Sequence, residues 1–306
     1  MLRAFFIWLS GSRSMRAIAE RSAVGRRMSS RFVPGTTVEG VMAATHSMND
    51  RGLTVSIDYL GENVSNADEA RGSAAVYHRL LDEITSRGLK ANVSLKLTHM
   101  GLEVEEKLAY DNVGALVAHA EHCHNFVRVD MEGSPYTQRT LDLVRSLHRL
   151  PGNEDTGGAV IQAYLRRSAA DVGKLLAERV RIRLCKGAYK EPPAIAFQNK
   201  SEVDASFVRL MKMLLKSGVY HGIATHDPRM IQATKDFARA EKVPPDAYEF
   251  QMLYGIRRDL QQQLVREGYR MRVYIPFGTE WYPYFMRRLA ERPANVFFVA
   301  RNIFRQ

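Results

Sequence analysis

Two adjacent arginines, Arg287 and Arg288, lie in a segment that reads as a helix from about residue 281 to 289. Tyr284 precedes them by three and four residues, and Glu291 follows them at the same spacings, so all four share one helical face. Two planar guanidinium groups beside an aromatic ring suit a small carboxylate ligand that carries an apolar body. An isolated Arg-Arg pair is more often a solvated basic face. The position of this helix in the fold therefore decides between the two interpretations.

Charged or polar side chains also occur at the ends of six predicted strands. They are Lys96, Asp130 with Glu132, Gln162, Arg183 with Lys186, Thr225 with His226, and Gln251. In a barrel of parallel strands, the carboxyl ends surround the active site. Because six ends in sequence order carry such residues, they indicate a lined pocket.

The predicted pocket is rich in cations. Lys96, Arg183, Lys186 and the Arg287–Arg288 pair face two acids, Asp130 and Glu291. Such a cleft would hold an anionic cofactor and a carboxylate substrate together. Gly187 allows a close backbone approach to a phosphate or a ring.

Metal catalysis is the main competing use of such a mouth. The histidine candidates are His122 and His124 on either side of Cys123, His99, His221 and His226. His122 and His124 precede strand three, at the end opposite the mouth, and His221 and His226 flank strand six at opposite ends. The sequence contains no H-E-x-x-H or C-x-x-C motif, no G-x-S-x-G elbow and no P-loop. No metal site is predicted.

The elements that must position these residues alternate along the chain. Strands are predicted at 53–59, 92–97, 126–129, 159–163, 180–184, 222–225, 248–252 and 271–275. Between most of them lie 20 or more residues with helical apolar spacing. Repeated strand-helix units predict an α/β fold with a parallel sheet, and eight strands favour a (β/α)8 TIM-type barrel. A doubly wound open sheet is the alternative, but no G-x-G-x-x-G follows the first strand.

Length and charge are consistent with one barrel and an arm. The chain has 306 residues, 45% of them hydrophobic, and a net charge of +11, which implies an acidic partner such as anionic lipid, a phosphorylated cofactor or nucleic acid. The first 31 residues carry seven arginines and one acid. An N-terminal helix packed on the domain is favoured there over a presequence or a membrane-contacting arm. We predict a helical arm at residues 1–45 and the barrel at 46–306. Two cysteines indicate a reducing compartment.

These features together resemble proline dehydrogenase, the flavin enzyme family that oxidises L-proline, in its single-function bacterial form. The resemblance runs from about Arg31 to the C-terminus. It rests on the segments 58–62, 94–98, 129–132, 162–165, 183–191, 224–227, 249–255 and 284–295.

The resemblance implies a distorted (β/α)8 barrel whose last helix lies over the mouth. It implies that Lys96, Arg287 and Arg288 bind the proline carboxylate, and that Arg183 lies near flavin N5, with Asp130 supporting the Lys96 and flavin region. The walls of the ring pocket would be Tyr274, Tyr284, Leu253, Ala188 and Tyr189. The FAD-binding positions would be Asp130, Met131, Gln162, Arg183, Lys186, Gly187, Ala188, Thr225, His226 and Glu291.

The implied reaction converts L-proline to Δ1-pyrroline-5-carboxylate by hydride transfer from C5 to FAD N5, the first step of proline degradation to glutamate. The implied electron acceptor is a membrane quinone. The protein would then be cytoplasmic and peripherally bound to the anionic inner face of the cytoplasmic membrane, with no nucleic-acid partner and with a homo-oligomer left open. Tyr284 favours proline, because relatives that prefer hydroxyproline carry a smaller residue there. The competing hypotheses are a non-enzymatic basic membrane- or nucleic-acid-binding protein and a metal-dependent barrel hydrolase.

Overall fold

Eight parallel strands close into a barrel in sequence order, and β8 pairs with β1. The computed structural model describes residues 31–291, with side chains as far as Met286. The strands are β1 Thr54–Tyr59, β2 Ala91–Leu95, β3 Val127–Val129, β4 Gly157–Gln162, β5 Arg181–Cys185, β6 His221–Ala224, β7 Tyr248–Leu253 and β8 Arg270–Phe277. All eight predicted strands are confirmed, and the closed barrel replaces the open-sheet alternative.

Helices cover the outside of the barrel. They are α1 Val38–Asn49, α2 Ala67–Ser86, α3 Glu106–His122, α4 Ser134–His148, α5 Ser168–Ala177, α6 Lys200–Lys216, α7 Pro228–Ala240, α8 Arg258–Arg266 and α9 Trp281–Glu291. Polar caps define where several begin: the Thr37 hydroxyl accepts from the Gly40 N–H (3.1 Å), and the Asn66 amide accepts from the Glu69 N–H (2.9 Å). The predicted boundary at residue 45 remains a prediction, and α1 runs across it.

Alternation along the strands separates an apolar exterior from a polar interior. On β1, Val55 and Ile57 belong to the main hydrophobic core under the helices. Ser56 and Asp58, at the alternate positions, hydrogen-bond to interior side chains. β7 and β8 repeat this pattern, because successive side chains of a strand point to opposite faces. The barrel interior therefore contains a hydrogen-bonded set of polar side chains.

Two layers of this interior are distinguished below. The mouth layer, toward the carboxyl ends of the strands, contains Ser56, Ser94, Asp130, Arg183, Gln251 and Tyr274. The floor layer, toward the amino ends, contains Asn92, Arg128, Glu249 and Arg272. A hydrogen bond from the Gln251 amide to the Glu249 carboxylate (2.5 Å) joins the two layers.

The last helix packs beside the carboxyl end of β1. Its aromatic residues Trp281, Tyr282, Tyr284 and Phe285 form a second buried cluster with Phe32, Val33 and Leu60. Leu60 directly follows β1, and its N–H donates to the Phe277 carbonyl at the end of β8 (2.8 Å). Helix α9 thus lies at the mouth, which confirms the predicted placement of the last helix.

Lys96 lies just beyond β2 instead of within a strand, because its carbonyl accepts from the N–H groups of His99 and Met100 (both 3.2 Å) and begins a turn. Among residues 31–291, none of the helices combines the length and apolar character that a membrane span requires.

Candidate active site at the barrel mouth

Arg183 is the central buried cation of the mouth layer. It projects inward from β5, is only 5% exposed, and four side chains accept from its guanidinium. Nε donates to Gln251 Oε1 (2.6 Å), Nη1 to Asp130 Oδ1 (2.7 Å) and Ser94 Oγ (3.0 Å), and Nη2 to Ser56 Oγ (2.9 Å). Acceptors from four strands or strand ends therefore fix its plane. Arg183 thus points into the barrel, and its place beside the flavin stays a prediction.

Asp130 directly follows β3 and accepts three hydrogen bonds. Oδ1 accepts from Arg183 and from the Ser94 hydroxyl (2.8 Å), and Oδ2 accepts from the Tyr274 hydroxyl (2.8 Å). The Tyr274 ring also faces the Arg183 guanidinium, 5.2 Å from its Cζ to the ring centroid. Asp130, Arg183 and Tyr274, predicted separately, form one contact network.

Lys96 pairs with Asp58, a partner that the sequence analysis did not single out. The ammonium lies 3.3 and 3.4 Å from the two carboxylate oxygens, and Asp58 is almost completely buried at the end of β1. Burial alone would lower the pKa of Lys96, but Asp58 first, followed by Glu62 and Asp130, raises that pKa above its ordinary value. Lys96 therefore stays protonated at the mouth.

Tyr77 of α2 anchors Asp58 from the other side. Its hydroxyl lies 3.5 Å from Asp58 Oδ1, donates to the Ser94 carbonyl (2.9 Å) and accepts from the Tyr59 N–H (3.1 Å). Tyr77 is fully buried. This ring ties the ends of β1 and β2 together, so the Lys96–Asp58 pair has a fixed position.

Lys186 is held in a different network, away from Arg183. Its ammonium binds Asp204 of α6 and Asp227, the N-cap of α7, and Asp227 Oδ2 lies 2.8 Å away. Although burial alone would raise the pKa of Asp227, the Lys186 ammonium and the Arg229 N–H hold it at about 2. Lys200 and Arg229 complete this cluster at the β5 and β6 ends.

The predicted excess of cations over acids in the pocket needs a correction for the described side chains. Lys96, Arg183 and Lys186 are each paired with at least one carboxylate, and three of the acids, Asp58, Asp204 and Asp227, were not foreseen. The side chains of Arg287, Arg288 and Glu291 lie outside the described residues.

Gln162 and Gly187 offer features that fit a large planar cofactor. The Gln162 amide donates to the Met131 carbonyl (3.0 Å), whereas its Oε1 is buried with no hydrogen-bond partner among the described residues. That oxygen can accept from a ring N–H of a flavin. Gly187 has φ +105°, and a Cβ there would lie 2.1 Å from the Tyr164 ring. Only glycine keeps this backbone approach open.

Thr225 and His226 follow β6. The Thr225 hydroxyl accepts from the Asp227 N–H (3.1 Å), and His226 Nε2 accepts from the Leu253 N–H (2.9 Å), so a neutral His226 carries its proton on Nδ1. These bonds fix the β6 and β7 ends beside the mouth. Met131, also a predicted cofactor contact, is buried next to Asp130.

The predicted ring-pocket residues differ in exposure. Tyr284 is buried in the aromatic cluster of α9, and Leu253 is half-buried at the end of β7. Ala188 and Tyr189 are exposed, on the loop after β5. The Tyr189 phenol is still close enough to contribute to the pKa shift of Lys96.

Comparisons with known proteins agree on one family. A family model described as "Proline dehydrogenase" matches residues 41–301. Proline dehydrogenase 1 of Bacillus subtilis strain 168 is 41% identical over 307 residues and covers 100% of both chains. The proline dehydrogenase of Deinococcus radiodurans is 40% identical over 279 residues, 90% of each chain.

A solved structure extends this agreement to the fold. Proline utilization A (PutA) of Bdellovibrio bacteriovorus, inactivated by N-propargylglycine, superimposes with a TM-score of 0.82 at 27% identity. The match covers 87% of this chain and 33% of the PutA chain, so the chain spans about a third of that protein. From the family match and the full-length relatives, the chain belongs to the proline dehydrogenase family, oxidoreductases of proline catabolism.

Proposed function

We propose that the chain oxidises L-proline to Δ1-pyrroline-5-carboxylate with FAD as its cofactor and a membrane quinone as electron acceptor, the first step of proline degradation to glutamate. The single observation that carries this proposal is the fixed guanidinium of Arg183, held at the mouth by Asp130, Ser94, Ser56 and Gln251. FAD, when bound, would accept at N5 the hydride that leaves C5 of proline and would release the electrons to the quinone.

The residues proposed to hold FAD come from the carboxyl ends of β3, β4, β5 and β6, together with Glu291 at the end of α9. Gln162 would accept a flavin N–H at its unpartnered Oε1, and Gly187 would admit the cofactor close to the backbone. Asp130, Met131, Lys186, Ala188, Thr225, His226 and Glu291 would complete the contacts. A positive charge at Arg183 stabilises electron density that develops in front of it, and its four hydrogen bonds remove the cost of reorganising during the reaction.

The substrate carboxylate is proposed to bind Lys96, Arg287 and Arg288. Charge-assisted hydrogen bonds orient an anion well, and orientation supplies much of the catalysis. Because Lys96 already faces Asp58, the arginine pair must contribute most of the net attraction. The amine must lose its proton before hydride leaves, since an iminium cannot form from an ammonium, and neighbouring cations favour that neutral amine. Tyr274, Tyr284, Leu253, Ala188 and Tyr189 would surround the ring.

Replacing one arginine of the pair tests the carboxylate assignment. Arg288→Met should raise KM for L-proline strongly while FAD remains bound, because the loss concerns substrate attraction. The matched control is Arg266→Met, which removes the same charge from an exposed position near the end of α8. KM for proline, the FAD content and the dissociation constant of FAD should be measured for both variants. Equal KM values in Arg288→Met and the control would overturn the assignment.

The identity of residue 284 tests the choice of substrate. We expect the wild type to prefer L-proline over hydroxyproline and Tyr284→Ser to shift the ratio of kcat/KM toward hydroxyproline, because a smaller side chain leaves room for the hydroxyl. An unchanged ratio would show that Tyr284 does not set the preference. Thermal unfolding of the variant checks that the aromatic cluster of α9 still forms.

Membrane docking follows from the net charge of +11 and from the use of a lipid-soluble acceptor. The protein should sediment with vesicles that contain anionic phosphatidylglycerol, and added salt should release it because screening weakens the attraction. Turnover with a quinone in those vesicles should fall as salt releases the protein from them. Binding that ignores both lipid charge and salt would contradict this part of the proposal.

A further inference from the structure

A group of metal-ligating side chains lies on the outside of the barrel, far from the strand ends that form the mouth. His78 and Asp82 are four residues apart on α2, and His119 and Cys123 are four residues apart on α3 and its C-cap. The two helices pack side by side. Cys123 precedes β3 by four residues, so the cluster lies toward the amino ends of the strands, opposite the mouth.

Three of these side chains converge on one point. His119 Nε2 lies 3.0 Å from Asp82 Oδ1, and single ligand atoms of Asp82, His119 and Cys123 all lie within 4.8 Å of one another. This is the only such group of His, Cys, Asp and Glu among residues 31–286. Asp82 is largely exposed, and His119 and Cys123 are partly buried, so an ion can enter from solvent.

His78 gives the second observation. Its Nδ1 lies 2.7 Å from His119 Nδ1, and the two rings stack with centroids 5.0 Å apart. When both rings are neutral and His119 donates from Nε2 to Asp82, His78 must donate from Nδ1 to His119. With a metal, the protons reverse: His119 donates from Nδ1 to His78 and offers the Nε2 lone pair. A histidine ligand whose second nitrogen is fixed by a neighbour is the usual arrangement in protein metal sites.

We propose that Asp82, His119 and Cys123 bind one Zn²⁺, with water as the fourth ligand and His78 as the residue that orients His119. Imidazole, thiolate and carboxylate are the ligands that zinc takes in proteins, in tetrahedral geometry. Binding releases the Cys123 thiol proton to solvent. Because the ligands come from two helices outside the barrel, the ion cross-links α2 to α3 and stabilises the fold.

Zinc binding should be measured on the untagged, reduced, full-length protein, first stripped with a chelator and then loaded with Zn²⁺. We expect one retained zinc per chain and, in its X-ray absorption, a sulfur neighbour at about 2.3 Å. Cys123→Ser and His119→Ala should weaken zinc binding at least as much as His78→Phe, for which we expect a loss of about 10–100-fold. The matched control is His122→Ala, an exposed histidine beside the cluster, and its affinity should equal that of the wild type.

Thermal unfolding separates a lost site from a damaged fold. Zinc should raise the melting temperature of the wild type and of His122→Ala, because an ion that binds only the folded state stabilises it. Zinc should leave the melting temperatures of Cys123→Ser and of Asp82→Asn, a substitution at an exposed position, unchanged. Proline oxidation should be the same in all four. No retained zinc, no sulfur neighbour, or an equal rise in all four proteins would overturn the proposal.

Discussion

The mouth layer and the floor layer both bury arginine beside a carboxylate, but they bond it differently. Arg183 in the mouth layer donates to four side chains. Arg128 in the floor layer donates to two backbone carbonyls, Ala159 O (3.0 Å) and Arg181 O (2.7 Å), and lies over the Phe126 ring. The side chains that accept from Arg183 can be replaced without moving the strands. The carbonyls that accept from Arg128 belong to the backbone of the strands themselves.

Arg272 in the floor layer uses both kinds of acceptor. It donates to Glu249 (2.6 Å), to the Val55 carbonyl (2.7 Å) and to Asn92 (2.8 Å), and so joins four strands across the barrel interior. In barrel enzymes, the carboxyl face carries chemistry and the amino face carries stability. The two layers of this barrel divide in that way.

Removing the mouth arginine should have the largest effect. Arg183→Met should lower kcat/KM for proline by about 10²-fold or more, because a fixed positive charge is lost where electron density develops. Arg181→Met is the control, since Arg181 lies on the same strand but bonds Asp155 at the surface. Comparable activity losses in both variants would refute the special role of Arg183.

Removing the floor arginine should affect stability instead. Arg128→Met leaves the Ala159 and Arg181 carbonyls without their donor, which costs roughly 2–6 kcal/mol of unfolding free energy at about 1–3 kcal/mol per buried group. Urea denaturation measures this loss. The kcat/KM of the remaining folded protein should be close to that of the wild type. A variant that is stable but inactive would reverse the assignment of the two layers.

Each end of the barrel also contains a buried histidine that resists protonation. Burial, with Arg128 nearby, lowers the pKa of His221 from 6.5 to about 3, and its Nδ1 accepts from the Ile182 N–H (3.0 Å). Burial, with Lys96 nearby, lowers the pKa of His99 to about 4. Both groups bind protons more readily when unfolded. The stability that these two histidines give to the folded state is therefore complete above pH 6.5, and it is lost as the pH falls from 6.5 toward 3.

The floor histidine gives a measurable pH dependence. In that window, each unit of pH should remove up to about 1.4 kcal/mol of stability through His221. His221→Asn keeps an acceptor for the Ile182 N–H and should flatten the slope, whereas His122→Asn, at an exposed position, should not. Unfolding free energies between pH 4 and pH 7 measure both. Parallel slopes for wild type and His221→Asn would contradict the prediction.

The smallest effect is expected from a single hydroxyl of the mouth layer. Tyr274→Phe removes the hydrogen bond to Asp130 Oδ2 but leaves Arg183 and Ser94 on Oδ1. The loss of one such bond is worth about 0.5–1.5 kcal/mol, so kcat/KM should fall by the corresponding factor of about 2- to 12-fold. Steady-state kinetics measure it. A fall as large as that of Arg183→Met would show that Tyr274 takes a direct part in the chemistry.

The sequence predicted the strands, the barrel and the inward position of residues at the strand ends, because a strand end in a parallel barrel always reaches the mouth. It did not predict which groups pair there. Lys96 could have met any acid at eight neighbouring ends, and its actual partner, Asp58, lies 38 positions away on the adjacent strand. Asp204 lies on α6, whose ordinary amphipathic pattern does not distinguish it from a solvent-facing acid.

The cluster on α2 and α3 was missed for the same reason. In the sequence, His122 and His124 flank Cys123 and were the obvious metal-ligand candidates. The side chains that meet Cys123 are instead His119 and, from another helix, Asp82. Helical spacing would have identified His119 four residues before Cys123. The packing of α2 on α3, which no local pattern encodes, was needed to find Asp82.

The most direct test of the proposed function is a visible absorption spectrum of the purified protein, followed by anaerobic addition of L-proline. The account predicts a yellow protein whose flavin absorption bleaches on proline, at a rate that Arg183→Met reduces and Arg181→Met does not. A yellow protein that is indifferent to proline would leave the cofactor in place and contradict the substrate. A colourless protein that FAD cannot reconstitute would contradict the function proposed for the mouth layer.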